Sequence, residues 1–228
     1  PGITPYTGTI AGTADVMKYF TTPYGTKLEH YNINAQTIFA PLEVAAGLQI
    51  EQDLTATDGV HYSAGTLALA PNSFVVGKQE FMVCARVVAS DWTDTFFMVG
   101  FRKKAAYAAD FNSYTDLGAI GTQTSGVSDF VATQGILNNA ATVETVTASS
   151  IAADSVAVEV IVKVAINGTV TTYRNGTAFP IYSVGTTTLV FDAGDEMIPF
   201  FQYLNLNSAA SGLTFSELLA LPTTSVIS

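Results

Sequence analysis

Charge is what this sequence has least of. Asp, Glu, Lys and Arg together make up 12% of its 228 residues, about half of the roughly 25% usual in soluble globular domains. Charge alone disperses such a surface poorly, so part of the exterior is expected to be covered by other subunits. Nine basic residues stand against nineteen acidic ones, for a formal net charge of −10. The basic residues form no stripe that could neutralise phosphates, which argues against a nucleic-acid partner. The one cationic run, Arg102-Lys103-Lys104, reads as a solvated strand end or turn.

Other scarcities exclude further classes. The lone cysteine, Cys84, rules out an intrachain disulfide, and its run Phe81 to Ala85 suggests a small buried apolar residue rather than a nucleophile. The only imidazoles are His30 and His61, too few for a His-rich zinc site. No apolar run is long enough for a membrane span, and no charged start precedes a signal-type apolar segment. The longest uncharged stretch, Met197 to Ser216, is interrupted by Pro199, Gln202, Asn205, Asn207, Ser208 and Gly212. Helical periodicity is nearly missing too; one short helix is expected over Thr13 to Phe20, with Thr13 as cap.

What is present is alternation. Val156, Val158, Val160, Val162, Val164 and Ile166 recur at period two, which predicts a strand with one apolar face. Asn167-Gly168 follows, then Thr169 to Arg174 and a second Asn175-Gly176, the signature of a long β-hairpin. The sequons at these two asparagines are read as turn chemistry rather than glycosylation sites. Phe81 to Ala89 and Thr95 to Phe101 are expected as a neighbouring strand pair. Further strands are expected at 43–52, 67–70, 117–121, 127–133, 188–191, 198–206 and 213–221. Many short strands separated by turn residues specify an all-β fold, an antiparallel two-sheet β-sandwich or jelly roll. Residues 1–32, with Pro1, Pro5 and Pro23 and no alternation, read as an N-terminal arm to the sandwich of residues 33–228. In that arm Tyr6, Tyr19, Phe20 and Tyr24 are the candidate partner contacts.

The hairpin Val156 to Thr177 resembles the central hairpin of concanavalin A-like jelly rolls, the lectin and glucanase superfamily. Phe81 to Phe101, ending in Gly100-Phe101, and Met197 to Pro222 are similar to its paired and closing strands, so the resemblance covers roughly residues 75 to 222. It implies a fold that hosts lectins, hydrolases and viral structural proteins alike. Glucanases of the superfamily carry Glu-x-Asp-x-Glu on one strand face. Here Glu159 has Ala157 and Ile161 as same-face neighbours, so the second carboxylate is missing; Glu159 and Lys163 are expected on a polar outer face. No catalytic residue, metal ligand or cofactor site is assigned. The acidic turn Asp192 to Glu196 lacks the ligand order of a calcium loop and reads as solvated. Asp58 to Ser63 supplies Asp, His and Ser without a nucleophile elbow.

Two functions of different class remain. One is a non-enzymatic virion structural protein, similar in style to the jelly-roll decoration and cement proteins of tailed bacteriophage capsids. It would be made in the host cytoplasm, would lie on the capsid surface, and would contact sister subunits and a major capsid protein as a homo-oligomer. The other is a lectin-like carbohydrate-binding module, for which Trp92, Tyr107 and Tyr114 are the candidate glycan contacts.

Overall fold

The computed structural model describes residues 18–21, 27–33, 42–44, 47–50, 59–63, 73–92, 95–105, 113–124, 130–139, 141–147, 152–178, 191–205 and 213–223. Among them the chain forms sixteen strands and no helix of α type. They are β1 (Lys18–Thr21), β2 (Lys27–Ile33), β3 (Leu42–Val44), β4 (Gly47–Ile50), β5 (Gly59–Ser63), β6 (Phe74–Val75), β7 (Glu80–Ala89) and β8 (Thr95–Lys103). After these come β9 (Leu117–Thr124), β10 (Phe130–Asn138), β11 (Ala141–Thr147), β12 (Val158–Val164), β13 (Val170–Arg174), β14 (Thr177–Ala178), β15 (Glu196–Asn205) and β16 (Leu213–Thr223).

Two antiparallel sheets make the expected sandwich. One has nine strands in the order β1-β2-β5-β15-β8-β9-β10-β11, with β6 beside β15; the other has seven, ordered β14-β13-β12-β7-β16-β4-β3. Strand alternation fills the space between them. Val158, Val160, Val162 and Val164 from β12, and Phe81, Val83, Ala85 and Val87 from β7, meet Phe97, Val99 and Phe101 from β8 and Phe201 and Tyr203 from β15 in one buried cluster. Aromatic rings interlock there: Phe81 stacks on Phe74 at 5.0 Å and meets Phe101 edge-on at 4.9 Å, geometries that add to the area effect.

Several expectations change at this level. β7 and β8 are not strand neighbours: β7 pairs β12 and β16, while β8 pairs β15 and β9 in the opposite sheet. The connection between them crosses the sandwich, anchored by Trp92 in the core. The apolar run of the hairpin is shorter than six, because Val156 and Ile166 lie beyond the ends of β12 and are 51% and 54% exposed. The single strand expected at 43–52 is instead the hairpin β3–β4. Phe191, placed in an expected strand, lies outside one, and Leu67 to Ala70 lie outside the described residues. Of the helix expected over Thr13 to Phe20, residues 18–20 are instead in β1, which pairs β2, which in turn pairs β5, and residues 13–17 lie outside the described residues. Residues 18–21 and 27–32 of the expected arm thus belong to the nine-stranded sheet, in β1 at its edge and in β2 beside it.

The two Asn-Gly turns differ. Asn175 and Gly176 both have positive φ, 47° and 74°, the pattern of a type I′ turn. In the first turn only Gly168 does, at 86°, and its N–H donates to the Ala165 carbonyl at 2.8 Å. That is a three-residue loop closed by a glycine in the left-handed region. Asn167 steadies it by accepting from the Thr169 N–H at 3.1 Å.

Candidate functional site

A sandwich has two outward faces, and here they are built differently. On the nine-stranded sheet the outward positions of β8 are Phe96, Met98, Gly100 and Arg102, by alternation with the core residues Phe97, Val99 and Phe101. Register then assembles two rows: His61, Gln202, Met98 and Gly121 across β5, β15, β8 and β9, and beside it Ser63, Phe200, Gly100 and Ala119. These positions do not face open water. Phe96, Met98, Leu117, Ala119, Phe200 and Tyr114 form a second buried apolar cluster, and His61, Ser63, Arg102 and Gln202 are each 0% exposed.

The polar members of this layer are held to one another. His61 Nδ1 lies 3.3 Å from Gln202 Oε1, and the imidazole stacks on Phe200 at 5.3 Å and 7°. Arg102 donates from Nη2 to Ser63 Oγ at 3.2 Å and from Nη1 to the carbonyls of Ala105 at 3.2 Å and Lys103 at 3.4 Å. Its guanidinium carbon sits 4.7 Å from the centre of the Tyr114 ring, a cation–π contact strengthened by burial. Arg102 therefore ties the segment after β8 down onto the sheet. The expected solvated end is wrong for this residue: it lies on the inside of that segment, among the largest fully buried side chains.

Next to it, Lys103 and Lys104 meet the acidic turn. Lys103 Nζ lies 2.6 Å from Asp195 Oδ1 and 3.5 Å from Asp116 Oδ2; Lys104 Nζ lies 2.9 Å from Glu196 Oε2. The Asp195 hydrogen bond, with the Asp116 and Asp195 charges, raises the Lys103 pKa against its partial burial. Hydrogen bonds from Ser73 and Lys104 hold the Glu196 carboxyl below its ordinary range. Ammonium groups therefore stand beside these carboxylates, where a calcium ion would need oxygen. Asp192 is exposed as expected, but Asp195 and Glu196 are ion-paired rather than solvated. Asp116, fully buried, also accepts from Thr115 Oγ1 at 2.7 Å and from the Asn139 N–H at 3.1 Å. Among the described residues no group of three or more His, Cys, Asp or Glu side chains could hold a metal ion.

The candidate glycan contacts are not gathered on a surface. Trp92 is 2% exposed and packs on Phe97 at 5.6 Å; its backbone N–H donates to Asp154 Oδ1 at 2.9 Å, and its indole Nε1–H donates to the Val156 carbonyl at 3.4 Å. This corrects the expected exposed platform: the loop turns Trp92 inward to close one end of the core. Tyr114 is 3% exposed beneath the same layer as Arg102. Tyr107, Tyr6 and Tyr24 lie outside the described residues, and Tyr19 and Phe20 are in β1.

The outward face of the seven-stranded sheet is of the opposite kind. Glu159, Ile161 and Lys163 alternate with the buried valines of β12 and are part-exposed; Met82, Cys84 and Val88 do the same on β7, and Arg86 is exposed. Cys84 is thus on the outside of the sheet, contrary to its expected burial. Glu159 and Lys163 occupy the outer face as expected, with Lys163 Nζ 3.1 Å from Glu80 Oε2. The sequence reading missed the His61, Gln202 and Arg102 layer because these residues lie on three strands far apart in the chain; the available signal was a polar residue at the outward parity of each.

No family model matches the sequence, and no curated protein does. Solved structures do. An alginate lyase of Pseudomonas aeruginosa is 12% identical with a TM-score of 0.55, covering 80% of this chain and 86% of its own. A legume lectin-like domain of Entamoeba histolytica is 8% identical with a TM-score of 0.54, covering 85% and 90%. The Emp47p carbohydrate recognition domain is 12% identical with a TM-score of 0.52, covering 83% and 88%. At such identities the likeness shows the fold alone: the chain shares the two-sheet sandwich of these structures.

Proposed function

We propose that this protein is a non-catalytic structural protein of a virion, a capsid decoration or cement protein that binds a capsid lattice through its faces and edges. One observation carries the reading. The titratable and hydrogen-bonding groups on the outward side of the nine-stranded sheet, His61, Arg102 and Gln202, are 0% exposed and spent on internal contacts. What the seven-stranded sheet offers to solvent is instead a mixed apolar and charged surface of the kind proteins cover with other proteins. The charge-poor composition points the same way.

The test is rebinding. Particles purified from the source of the sequence, stripped of loosely held surface proteins, are expected to take the purified chain back at a fixed stoichiometry. Absence of the chain from such particles, together with no rebinding, overturns the assignment. Deleting residues 1–17, which leaves β1 intact, is expected to weaken attachment more than it lowers the melting temperature. A truncated chain that stays folded and attaches normally removes Tyr6 and the rest of residues 1–17 from the contact.

Carbohydrate binding is the second reading, favoured by fold neighbours that are carbohydrate recognition or lectin-like domains. Saturable binding to a glycan array by the intact chain, at a site lying on its loops, would establish it. Turnover of alginate is not expected, although a lyase shares the fold, because Arg102 and His61 do not reach solvent.

A further inference from the structure

On the outward face of the seven-stranded sheet, register places Tyr173, Ile161, Cys84 and Leu219 in one row, and Thr171, Lys163, Met82 and Leu221 in the next. The row on the other side is Glu159, Arg86 and Glu217. An apolar band therefore crosses β13, β12, β7 and β16, bordered by charges. Its side chains at Ile161, Cys84, Met82, Leu221 and Tyr173 are part-exposed. A lysine, an arginine and two glutamates lie around it, Lys163 with Glu80 at 3.1 Å and Arg86 opposite Glu159 in register. Those four cancel, and Glu217 adds one acidic register position, whereas the whole chain carries −10. Among the described residues this is a face on which two copies can meet with little mutual repulsion, each rim offering both signs to the other.

We propose that this face is the contact between two copies of this chain, packed sheet against sheet about a two-fold axis through the band. The four long strands, about 4.8 Å apart and about eight residues long at about 3.3 Å each, give roughly 500 Å² of flat face per copy. A pair covers roughly 1,000 Å² before side-chain relief and the short strands β14, β4 and β3 are added, which reaches the ~1,200 Å² at which specific interfaces begin. Two twisted sheets pack in this way at about 10 Å with their strands nearly aligned. The isologous arrangement places Ile161 and Cys84 of each copy near the axis, where exclusion of water is most complete. The proposal deepens the assembly reading above, but its test uses the purified full chain without any particle, so the two can fail separately.

Sedimentation of the full chain across a micromolar concentration range is expected to show a reversible dimer of the 24.0 kDa subunit. Ile161→Lys should weaken it by at least about tenfold, Ile161→Thr should weaken it less while keeping a strand-forming residue, and Ile166→Lys, an equally apolar but remote exposed site, should leave it unchanged. Thermal unfolding checks that each variant is folded. Maleimide labelling of Cys84 should slow as the dimer forms and recover in Ile161→Lys. A chain that sediments as a monomer throughout overturns the proposal. So does a dimer that survives both Ile161 changes, that Ile166→Lys weakens equally, or that leaves Cys84 labelling unslowed.

Discussion

The two outward faces of this sandwich start from the same strand alternation and end differently. On the nine-stranded sheet large and partly polar outward residues, Phe96, Met98, Arg102, Phe200, Gln202 and His61, stand beside Gly100, Ala119 and Gly121, and Arg102, His61 and Gln202 have no exposure. On the seven-stranded sheet the outward residues stay part-exposed, with an ion pair at the rim. A polar residue facing outward in the sequence therefore says little by itself about accessibility. What decides is what packs over it, and here Arg102 holds the Ala105 carbonyl and lies against the Tyr114 ring.

The sharpest way to break this contrast is to disturb the closed face from within. Gly121 on β9 faces Met98 across the ladder, and a Cβ there would sit 1.8 Å from the Phe97 carbonyl oxygen and 2.9 Å from Met98 Cα. Neither neighbour is a flexible side-chain tip, so the strands must separate. Gly121→Ala is expected to cost about 4 kcal/mol or more, read as a shift of the denaturant midpoint. A cost below about 1 kcal/mol would mean that β8 and β9 pack less closely than described.

Next in size is Trp92. Its indole lies in the core against Phe97, so Trp92→Ala should lose about 3–5 kcal/mol, as buried aromatic truncations do. Any effect on ligand binding should then track loss of fold. A stable Trp92→Ala chain would return the residue to the surface role first read from its polar loop. Arg102→Ala should fall in the same range, about 3–5 kcal/mol, because it removes a buried charge whose partners, Ser63 Oγ and the Ala105 and Lys103 carbonyls, stay behind. Its loss should also expose the layer below, raising binding of an apolar dye at temperatures well under the melting point.

The sandwich was legible because β7 and β12 carry near-continuous alternation and the two Asn-Gly turns mark their own hairpin. Outside that hairpin the partner of a strand was not, since alternation fixes which side a residue takes and says nothing of which sheet it joins. Thus β7 and β8, adjacent in sequence, are in different sheets. No strand was expected over Gly59–Ser63, yet it pairs on both sides, with β2 and β15. The closed polar layer combines residues 61, 102 and 202, a separation that no local pattern records. The open face was nearer the surface of the sequence: Ile161 stands between Glu159 and Lys163 at the outward parity, an apolar residue where a fully solvated strand would carry a polar one.

Acid should separate the two ends of the charge scale. Glu196 is held below its ordinary range by Ser73 and Lys104, so the folded chain takes up its proton less readily than the unfolded one. The stability it contributes is complete above the ordinary glutamate value of about 4.3 and is lost as pH falls through its lowered value. Lys103 acts in the other direction: raised chiefly by the Asp195 hydrogen bond, it contributes fully below the ordinary lysine value and loses that contribution as pH rises through its raised one. Glu196→Gln should flatten the acid limb of a melting-temperature profile and leave the alkaline limb in place. An acid limb unchanged in the variant would assign the loss to other carboxylates.

The smallest effect is expected on the open face. Lys163 and Glu80 are each 36% exposed at 3.1 Å, and Thr223 Oγ1 adds a bond to the same carboxylate at 3.3 Å. Exposed pairs of this kind contribute about 0–1 kcal/mol, screened further by salt. Lys163→Met should therefore change the stability of the monomer by less than about 1 kcal/mol, and salt should erase most of that difference. In a dimer packed through this face the same pair is desolvated at the rim, and salt should then weaken association more than it weakens the fold. Measuring unfolding and sedimentation of wild type and Lys163→Met at low and high salt separates the two. If salt changes neither the dimer nor its response to Lys163→Met, the rim charges take no part in the contact, and the apolar band must hold the copies alone.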